Sequence, residues 1–500
     1  MTREDGGLEE EVLSRRSFVG RGAALAGGAL IAGSLAACGD PSPGPSKPRV
    51  VVVGAGLAGL SCAYRLHQAG ITADLYEAHP TRVGGRCWTA REFAEGQIGE
   101  HGGEFIDSDH AHIQRLAREL DLKLDDLSDR SGGHSLLYVD GRIRSQRAGY
   151  RGYGATLRKL QDVARRTGYA RSYSNASARA FDRRSAGRWI ARNVPASRPR
   201  LRELMREYLS EEFGLDAGRL TATDLLYLTE GPADGEEPAA SDSSDERFHV
   251  HGGNELIPEG LAERLPEESL HLDAPLTALR RRDDRTYGLR FDGVRHEVIA
   301  DRVVLAIPYT TLREVDLSRA GFRKRKLRCI RELGMGTNAK VILQFRTRPE
   351  RFSGWNGVLV TDQPFLDTWQ SSVGQPGRAG LITVYSGGKV GTGYPSHPPH
   401  GPAPHGVVRE TLAALNRVVP GIAGEFNGRA WLDNWSADPW ARGSYAAFLP
   451  GQYTDFYGVV KAPEGGVHFA GEQTSDAYQG FLEGAVASGE RCAHEVLGTG

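Results

Sequence analysis

Residues 50–53 are four consecutive valines, followed by a glycine-rich turn and an apolar helical pattern that runs to Gly70. An apolar run without alternation is typical of a strand covered on both faces of a parallel sheet. Residues 72–76 have the pattern of a second strand, which ends at Glu77. The order strand, turn, helix and strand predicts the opening unit of a doubly wound α/β domain.

The turn after the first strand contains Gly54, Gly56 and Gly59 in the spacing GxGxxG, with Leu57 and Ala58 between them. Such glycines allow a tight turn, close approach of a pyrophosphate to the backbone, and close packing of helix on strand. An ordinary strand–helix turn is the alternative, but the whole context of a dinucleotide site is present. We therefore predict a dinucleotide at the N-terminus of this helix.

Glu77 follows the glycine turn by about twenty residues, the position of the acidic residue in dinucleotide sites. A carboxylate there accepts hydrogen bonds from both hydroxyls of an adenosine ribose and repels a 2′-phosphate. The pattern predicts a dinucleotide without that phosphate.

Further along, the apolar pattern changes character several times. Residues 111–122 have the spacing of an amphipathic helix, and residues 131–248 consist of Arg-rich helical segments such as 155–164 and 200–213, with no comparable strand. Strand patterns return at 270–273, 289–299 and 302–307, and again at 336–345.

We predict two interleaved domains, because 500 residues exceed what one core usually fills. The predicted nucleotide-binding parts are 49–124, 248–328 and 438–500, and the substrate-domain parts are 125–247, which is helical, and 329–437.

Composition narrows the class of protein. The formal net charge of -1 gives no basic footprint, so we predict no nucleic-acid partner. With 39% hydrophobic and 25% charged residues, the body of the chain is typical of a soluble globular protein. The five cysteines have no CxxC spacing, and no metal site is predicted.

The N-terminal segment has the pattern of a targeting signal. Arg15 and Arg16 precede a weakly apolar run at 22–37 and then Cys38, which together resemble a twin-arginine export signal with a lipobox. The resemblance implies a signal peptide at 1–38, a linker at 39–48, passage through the twin-arginine export machinery, and an extracytoplasmic protein held at the membrane by a lipidated Cys38. The alternatives are a soluble secreted enzyme that is cut elsewhere, or a chance pair of arginines.

Three signatures fall in order along the rest of the chain. The first is the glycine turn with Gly85–Arg86 behind it and the segment 102–105; the second is the tryptophan-rich block 431–445; the third is the run 467–489. From about residue 48 to the C-terminus, the sequence resembles the FAD-dependent amine oxidases. This resemblance implies a Rossmann-type FAD-binding domain, like that of p-hydroxybenzoate hydroxylase, with an interleaved α+β substrate domain.

The resemblance also implies which residues form the active site. Lys340, Tyr445 and Phe481 are the implied catalytic residues: the lysine bonds a water at flavin N5, and the two aromatic side chains are walls of a substrate cage. A lysine facing solvent at the strand end is the alternative for Lys340. The implied cofactor contacts are Gly54, Gly56, Leu57, Ala58, Gly59, Glu77, Gly85, Arg86, Gly102, Gly103, Glu104, Phe105, Leu276, Trp435, Gly471, Glu472, Phe481, Leu482 and Ala485.

Covalent members of the family carry a cysteine just before the position of Tyr445, where this chain has Ser444. The resemblance therefore implies non-covalent FAD.

The implied reaction is oxidation of a small amine by hydride transfer to flavin N5, with O2 as the oxidant and peroxide and an imine as products. An L-amino-acid oxidase is the alternative. Phe105 stands near where such enzymes carry a carboxylate-binding arginine, and the candidate substitutes are Arg442 or another arginine of the pocket. We interpret Glu104 as bonding to backbone near the flavin, with a distal ammonium of a diamine as the other reading. Two other functions stay open. One is a dehydrogenase that passes its electrons to a partner acceptor, and the other is a lipid-anchored FAD protein that has lost its catalytic role. A homodimer is also an open alternative.

Overall fold

The structure is a computed structural model that describes residues 47–128, 133–168, 175–230, 244–363, 365 and 367–498. The signal segment 1–38 with Cys38, and most of the linker 39–48, lie outside the described residues, so these assignments stay predictions. Within the described residues, no helix is long and apolar enough to cross a membrane.

A five-stranded parallel sheet forms the centre of the first domain. From edge to edge its strands are Val467–Phe469, Arg302–Leu305, Val50–Val53, Asp74–Tyr76 and Leu270–His271. All four valines of the central strand are buried, as a strand covered on both faces requires. The predicted α/β fold class is confirmed.

Alternate valines of that strand enter two different cores. Val50 and Val52 pack into a core with one set of helices, while Val51 and Val53 face a three-stranded antiparallel sheet and a second set. The first set comprises Leu57–Gln68, Ala111–Glu119, Leu256–Ala262 and Leu482–Leu497. The second side comprises the strands Leu276–Arg281, Tyr287–Phe291 and Val298–Ala300 and the helices Tyr309–Leu312, Lys324–Glu332 and Gln452–Phe456.

An eight-stranded mixed sheet forms the centre of the second domain. Its strands, in spatial order, are His400–Pro402, Phe426–Asn434, Ala339–Phe345, Gly380–Ser386, Asp367–Gln370, Trp355–Thr361, His134–Val139 and Arg142–Arg144. Ala339–Phe345 is buried along its whole length and carries Lys340. Further elements are the strand pairs Thr89–Ala90 with Gly99–Glu100 and Leu124–Asp126 with Phe248–Val250, and the helices Gly388–Thr392 and His405–Val418.

The Arg-rich section is mainly helical, as predicted. Its elements are the helices Gln146–Gly149, Tyr153–Thr167, Ala176–Asp182, Ala186–Asn193 and Pro199–Phe213 and the 3-10 helix Ala222–Glu230. The prediction that it lacks a good strand was wrong at His134–Val139, which pairs in parallel with Trp355–Thr361. That parallel partner lies more than 200 residues further along the chain, but a local signal was present, because Asp140–Gly141 joins the strand in a hairpin to Arg142–Arg144. The exact domain boundaries stay a prediction, and the one at 328/329 falls inside the helix Lys324–Glu332.

Candidate active site

A cavity of about 1040 Å³ is lined by residues of both domains. All the predicted site residues except Gly59 lie on its wall. They are Gly54, Gly56, Leu57, Ala58, Glu77, Gly85, Arg86, Gly102, Gly103, Glu104, Phe105, Leu276, Lys340, Trp435, Tyr445, Gly471, Glu472, Phe481, Leu482 and Ala485.

The three glycines of the first turn have different surroundings. Gly54 has φ +99°, a conformation that favours glycine. A Cβ on Gly59 would lie 1.9 Å from the Gly54 carbonyl oxygen, so this glycine serves the packing of helix on strand and not the cavity. A Cβ on Gly56 would meet only the Gly84 carbonyl oxygen, at 3.9 Å, which leaves open space before the N-terminus of the helix Leu57–Gln68. The turn therefore fits a diphosphate.

Glu77 ends the second strand of the parallel sheet and is buried. One carboxylate oxygen accepts from the backbone N–H of Ala55 at 2.6 Å, and the other from that of His79 at 2.8 Å. Burial raises the pKa of Glu77, against the effect of these hydrogen bonds. Each carboxylate oxygen has a second acceptor position, so the side chain retains capacity for ribose hydroxyls.

Arg82 is a wall residue that the predicted set did not include. Its Nη1 donates to the Gly85 carbonyl at 2.8 Å, and its guanidinium lies 4.3 Å from the centre of the Trp88 ring. Its buried Nε has no hydrogen-bond partner among the described residues. A buried N–H of this kind requires an acceptor, which a diphosphate bound at the glycine turn would provide. The sequence signal that could have identified Arg82 as a site residue is its position just before Gly84–Gly85.

Arg86 and Glu472 join the predicted first and third signatures. The Nη1 atom of Arg86 donates to the Ser444 carbonyl and, at 3.2 Å, to Glu472. Glu472 also accepts from the backbone N–H groups of Ala446 and Gly480 at 3.1 and 2.9 Å. These bonds fix the two segments that carry Tyr445 and Phe481 relative to each other.

Lys340 is 5% exposed and does not face solvent. Its ammonium donates to the carbonyl oxygens of Glu100 and Gly102 at 3.0 and 2.7 Å and to the Glu104 carboxylate at 2.8 Å. The predicted backbone contact of the Glu104 side chain is corrected, because its carboxylate instead pairs with a lysine. Burial favours the neutral acid, but the charge of Lys340 and its hydrogen bond lower the pKa of Glu104.

Aromatic side chains continue from this ion pair across the wall. The ring of Phe105 contacts Trp369 edge to face, with centroids 5.7 Å apart, and Trp369 lies 5.3 Å from Tyr385. The hydroxyls of Tyr385 and Tyr445 are 3.1 Å apart. Burial raises the pKa of Tyr385 and of Tyr445, which keeps both hydroxyls neutral. Sequence reasoning missed Trp369 and Tyr385, because their alignment depends on the pairing of two strands.

Phe481 stands at the N-terminus of the helix Leu482–Leu497. Its ring contacts the His110 ring edge to face, with the two ring centroids 5.3 Å apart. The preceding residue, Gly480, lies against the Tyr445 ring, since a Cβ there would be 3.5 Å from that ring. Tyr445 and Phe481 are therefore brought to one part of the cavity wall.

The helix Pro199–Phe213 contributes Glu207, Glu211 and Glu212 to the wall. Burial, with repulsion from neighbouring carboxylates such as Glu203, raises the pKa of Glu207 to about 7. Arg442 reaches the wall from the nucleotide side and pairs with Glu314. The part of the wall that the helical section supplies is therefore acidic.

Two further side chains near the predicted flavin site are held in protein hydrogen bonds. Ser444 donates to the side chain of Asn338 at 2.6 Å. Cys87, also on the wall, donates to the Asn254 carbonyl at 3.3 Å, and burial raises the pKa of this thiol well above its usual value. A neutral, bonded thiol is a poor nucleophile.

Comparison with known proteins identifies the family and the fold. Residues 57–497 match the family described as flavin containing amine oxidoreductase. A probable flavin-containing monoamine oxidase A of Dictyostelium discoideum is 21% identical over 458 residues, which cover 89% of this chain and 97% of that protein. An L-glutamate oxidase precursor of Streptomyces viridosporus is 25% identical, with coverages of 92% and 87%. A solved putrescine oxidase with bound putrescine has a TM-score of 0.76 at 20% identity, covering 90% of this chain and 99% of its own.

The chain belongs to the flavin-containing amine oxidoreductase family. It is therefore an oxidoreductase, and the residues of the cavity fit a flavin.

Proposed function

We propose that the protein binds FAD without a covalent bond and oxidises an amine that lacks a carboxylate. The observation that carries the choice of substrate is the charge of the cavity wall. Glu211 and Glu212 line the part supplied by the helical section, together with Glu207, which is only partly ionised near neutral pH because its pKa is raised to about 7. The guanidinium of Arg442, the candidate carboxylate ligand, is paired with Glu314. An acidic wall attracts an ammonium and repels the carboxylate of an amino acid.

The proposed cofactor site follows the first and third signatures. Gly56 and Arg82 would hold the diphosphate, and Glu77 would hold the adenosine ribose. The N-terminus of the helix Leu482–Leu497 would place a positive dipole end beside the flavin ring. The bound flavin supplies a two-electron acceptor for the hydrogen on the carbon next to the amine nitrogen.

The chain's own residues bind and orient the amine. Tyr445 and Phe481 would confine it between apolar surfaces, and the neutral hydroxyl pair of Tyr385 and Tyr445 adds no charge there. A closed apolar wall holds the reacting carbon in place and excludes water. The bonded hydroxyl of Ser444 and the neutral thiol of Cys87 support the non-covalent attachment.

The test begins with protein purified under native conditions. Acid precipitation should release one flavin per chain, identified as FAD by chromatography; yellow colour in the pellet would contradict non-covalent binding. The protein is then assayed with an amine panel for aldehyde and for peroxide, with O2 or an artificial dye as acceptor. Aldehyde with peroxide supports an oxidase, aldehyde with the dye alone supports the dehydrogenase, and no aldehyde from any amine contradicts the proposal.

A further inference from the structure

The three hydrogens of the Lys340 ammonium are all accounted for within the protein. A lysine ammonium has three donors and no acceptor. Here they reach the carbonyls of Glu100 and Gly102 and the carboxylate of Glu104, all within 3.0 Å. A bond from this lysine to a water beside the flavin would require one of these three to break.

The segment that receives these bonds is itself fixed from other sides. A Cβ on Gly102 would lie 1.9 Å from the Arg86 carbonyl oxygen, and one on Gly103 would lie 2.6 Å from Leu482. The side-chain amide of Asn254 donates to the carbonyls of Gly103 and Glu104 at 3.1 and 2.8 Å. The acceptors of Lys340 therefore cannot move away without a rearrangement of the cavity wall.

The charges of the pair are also matched. Both side chains are 6% exposed, so water screens neither of them well. A lone ammonium in that place would act strongly on any charge that forms in the cavity, whereas an ion pair acts mainly as a dipole. Both residues line the cavity.

We propose that Glu104 is a positioning residue that neutralises Lys340 and holds its hydrogens on protein oxygen atoms, so that the pair adds no net charge to the flavin site. The proposal rests on the proposed flavin function. Reduction of a flavin to its anionic form adds negative charge, which a nearby uncompensated cation stabilises. Glu104 thereby keeps the flavin's midpoint potential lower than the lysine alone would set it.

The test is a reductive titration of the bound flavin with dithionite and reference dyes, which needs no amine. Glu104→Gln keeps an oxygen acceptor for Lys340 but removes the negative charge. We expect the ratio of reduced to oxidised flavin at a fixed potential to rise at least tenfold, which is about 30 mV upward for a two-electron couple. Lys340→Gln keeps a donor toward Glu104, removes the positive charge, and should shift the potential downward.

Glu297→Gln is the matched control. Glu297 is paired with Arg280 on the three-stranded sheet, away from the cavity wall, and its variant should keep the wild-type potential. Unchanged potentials in flavin-loaded E104Q and K340Q would overturn the proposal. So would loss of flavin from both variants, because the pair would then serve binding and not charge balance. A wild-type protein whose flavin no amine reduces would contradict the proposed function while leaving these potentials measurable.

Discussion

Lys340 and Glu104 lie 236 residues apart in the chain and form a buried ion pair with an Nζ–Oε2 distance of 2.8 Å. Lys340 lies on Ala339–Phe345, an interior strand of the eight-stranded sheet, and Glu104 directly follows Gly102–Gly103. The pair therefore links two segments that are distant in the sequence at the wall of the cavity. Its members depend on each other, since a buried charge without a partner is costly.

The first prediction concerns this dependence. Lys340→Met leaves the buried Glu104 carboxylate without its cation and should destabilise the flavin-free protein by about 3–5 kcal/mol. The urea midpoint measures the effect, with the exposed Lys389→Met as the control. The double variant with Glu104→Leu should recover most of the loss; a single variant as stable as the wild type would contradict a structural role for the pair.

The second prediction separates two glycines of the first turn. Gly56→Ala has room for its Cβ and an ordinary φ of -74°, so the protein should fold. Its methyl group would occupy the space proposed for the diphosphate, and the FAD dissociation constant should rise at least tenfold, or about 1.4 kcal/mol.

Gly59→Ala is the contrasting change, because its Cβ would lie 1.9 Å from the Gly54 carbonyl oxygen. We expect little soluble protein from this variant. Flavin titration and soluble yield give the two readouts, and equal effects of the two changes would contradict the separate roles of these glycines.

The third prediction concerns pH and the buried Lys326. Its ammonium donates to the Val460 carbonyl at 2.9 Å, and burial lowers the pKa of this lysine to about 7. The unfolded chain keeps a lysine pKa of about 10.4. Between these values the unfolded state binds more protons, so stability should rise as the pH increases from about 7 to about 10. Below pH 7 the folded protein carries the full cost of the buried charge.

Lys326→Met should remove this part of the pH dependence. The Val460 carbonyl keeps a donor in the variant, the hydroxyl of Tyr309. Thermal midpoints at several pH values, with the exposed Lys324→Met as the control, measure the difference. Parallel pH curves for the wild type and K326M would contradict the depressed pKa.

The fourth prediction tests the predicted lipid anchor at Cys38. Expressed in a bacterium with twin-arginine export, the protein should fractionate with the membrane, because an acyl chain on Cys38 would anchor it there. Cys38→Ser should leave it out of the membrane fraction, while Cys329→Ser, which changes a buried cysteine, should not. Membrane association of C38S equal to that of the wild type would contradict lipid anchoring.

The sequence was most informative where the chemistry is local. The valine strand at 50–53, the glycine turn and Glu77 could be predicted because strand, turn and acid follow one another within thirty residues. The wall residues Trp369 and Tyr385 could not, since their approach depends on the register between the neighbouring strands Asp367–Gln370 and Gly380–Ser386. The strand His134–Val139 was missed although Asp140–Gly141 after it is a hairpin signal, and only its pairing with Trp355–Thr361 depends on a distant segment. For the same reason, the burial of Lys340 could be expected from its strand, but its partner Glu104 could not.

The most direct test of the central claim compares an amine with its carboxylated counterpart. Flavin-loaded protein is mixed without oxygen with phenylethylamine or L-phenylalanine, and with putrescine or L-ornithine, and the loss of flavin absorbance is followed. The acidic wall and the engaged Arg442 predict that at least one amine bleaches the flavin much faster than its amino acid. Faster bleaching by the amino acids would contradict the account and would identify the protein as an L-amino-acid oxidoreductase.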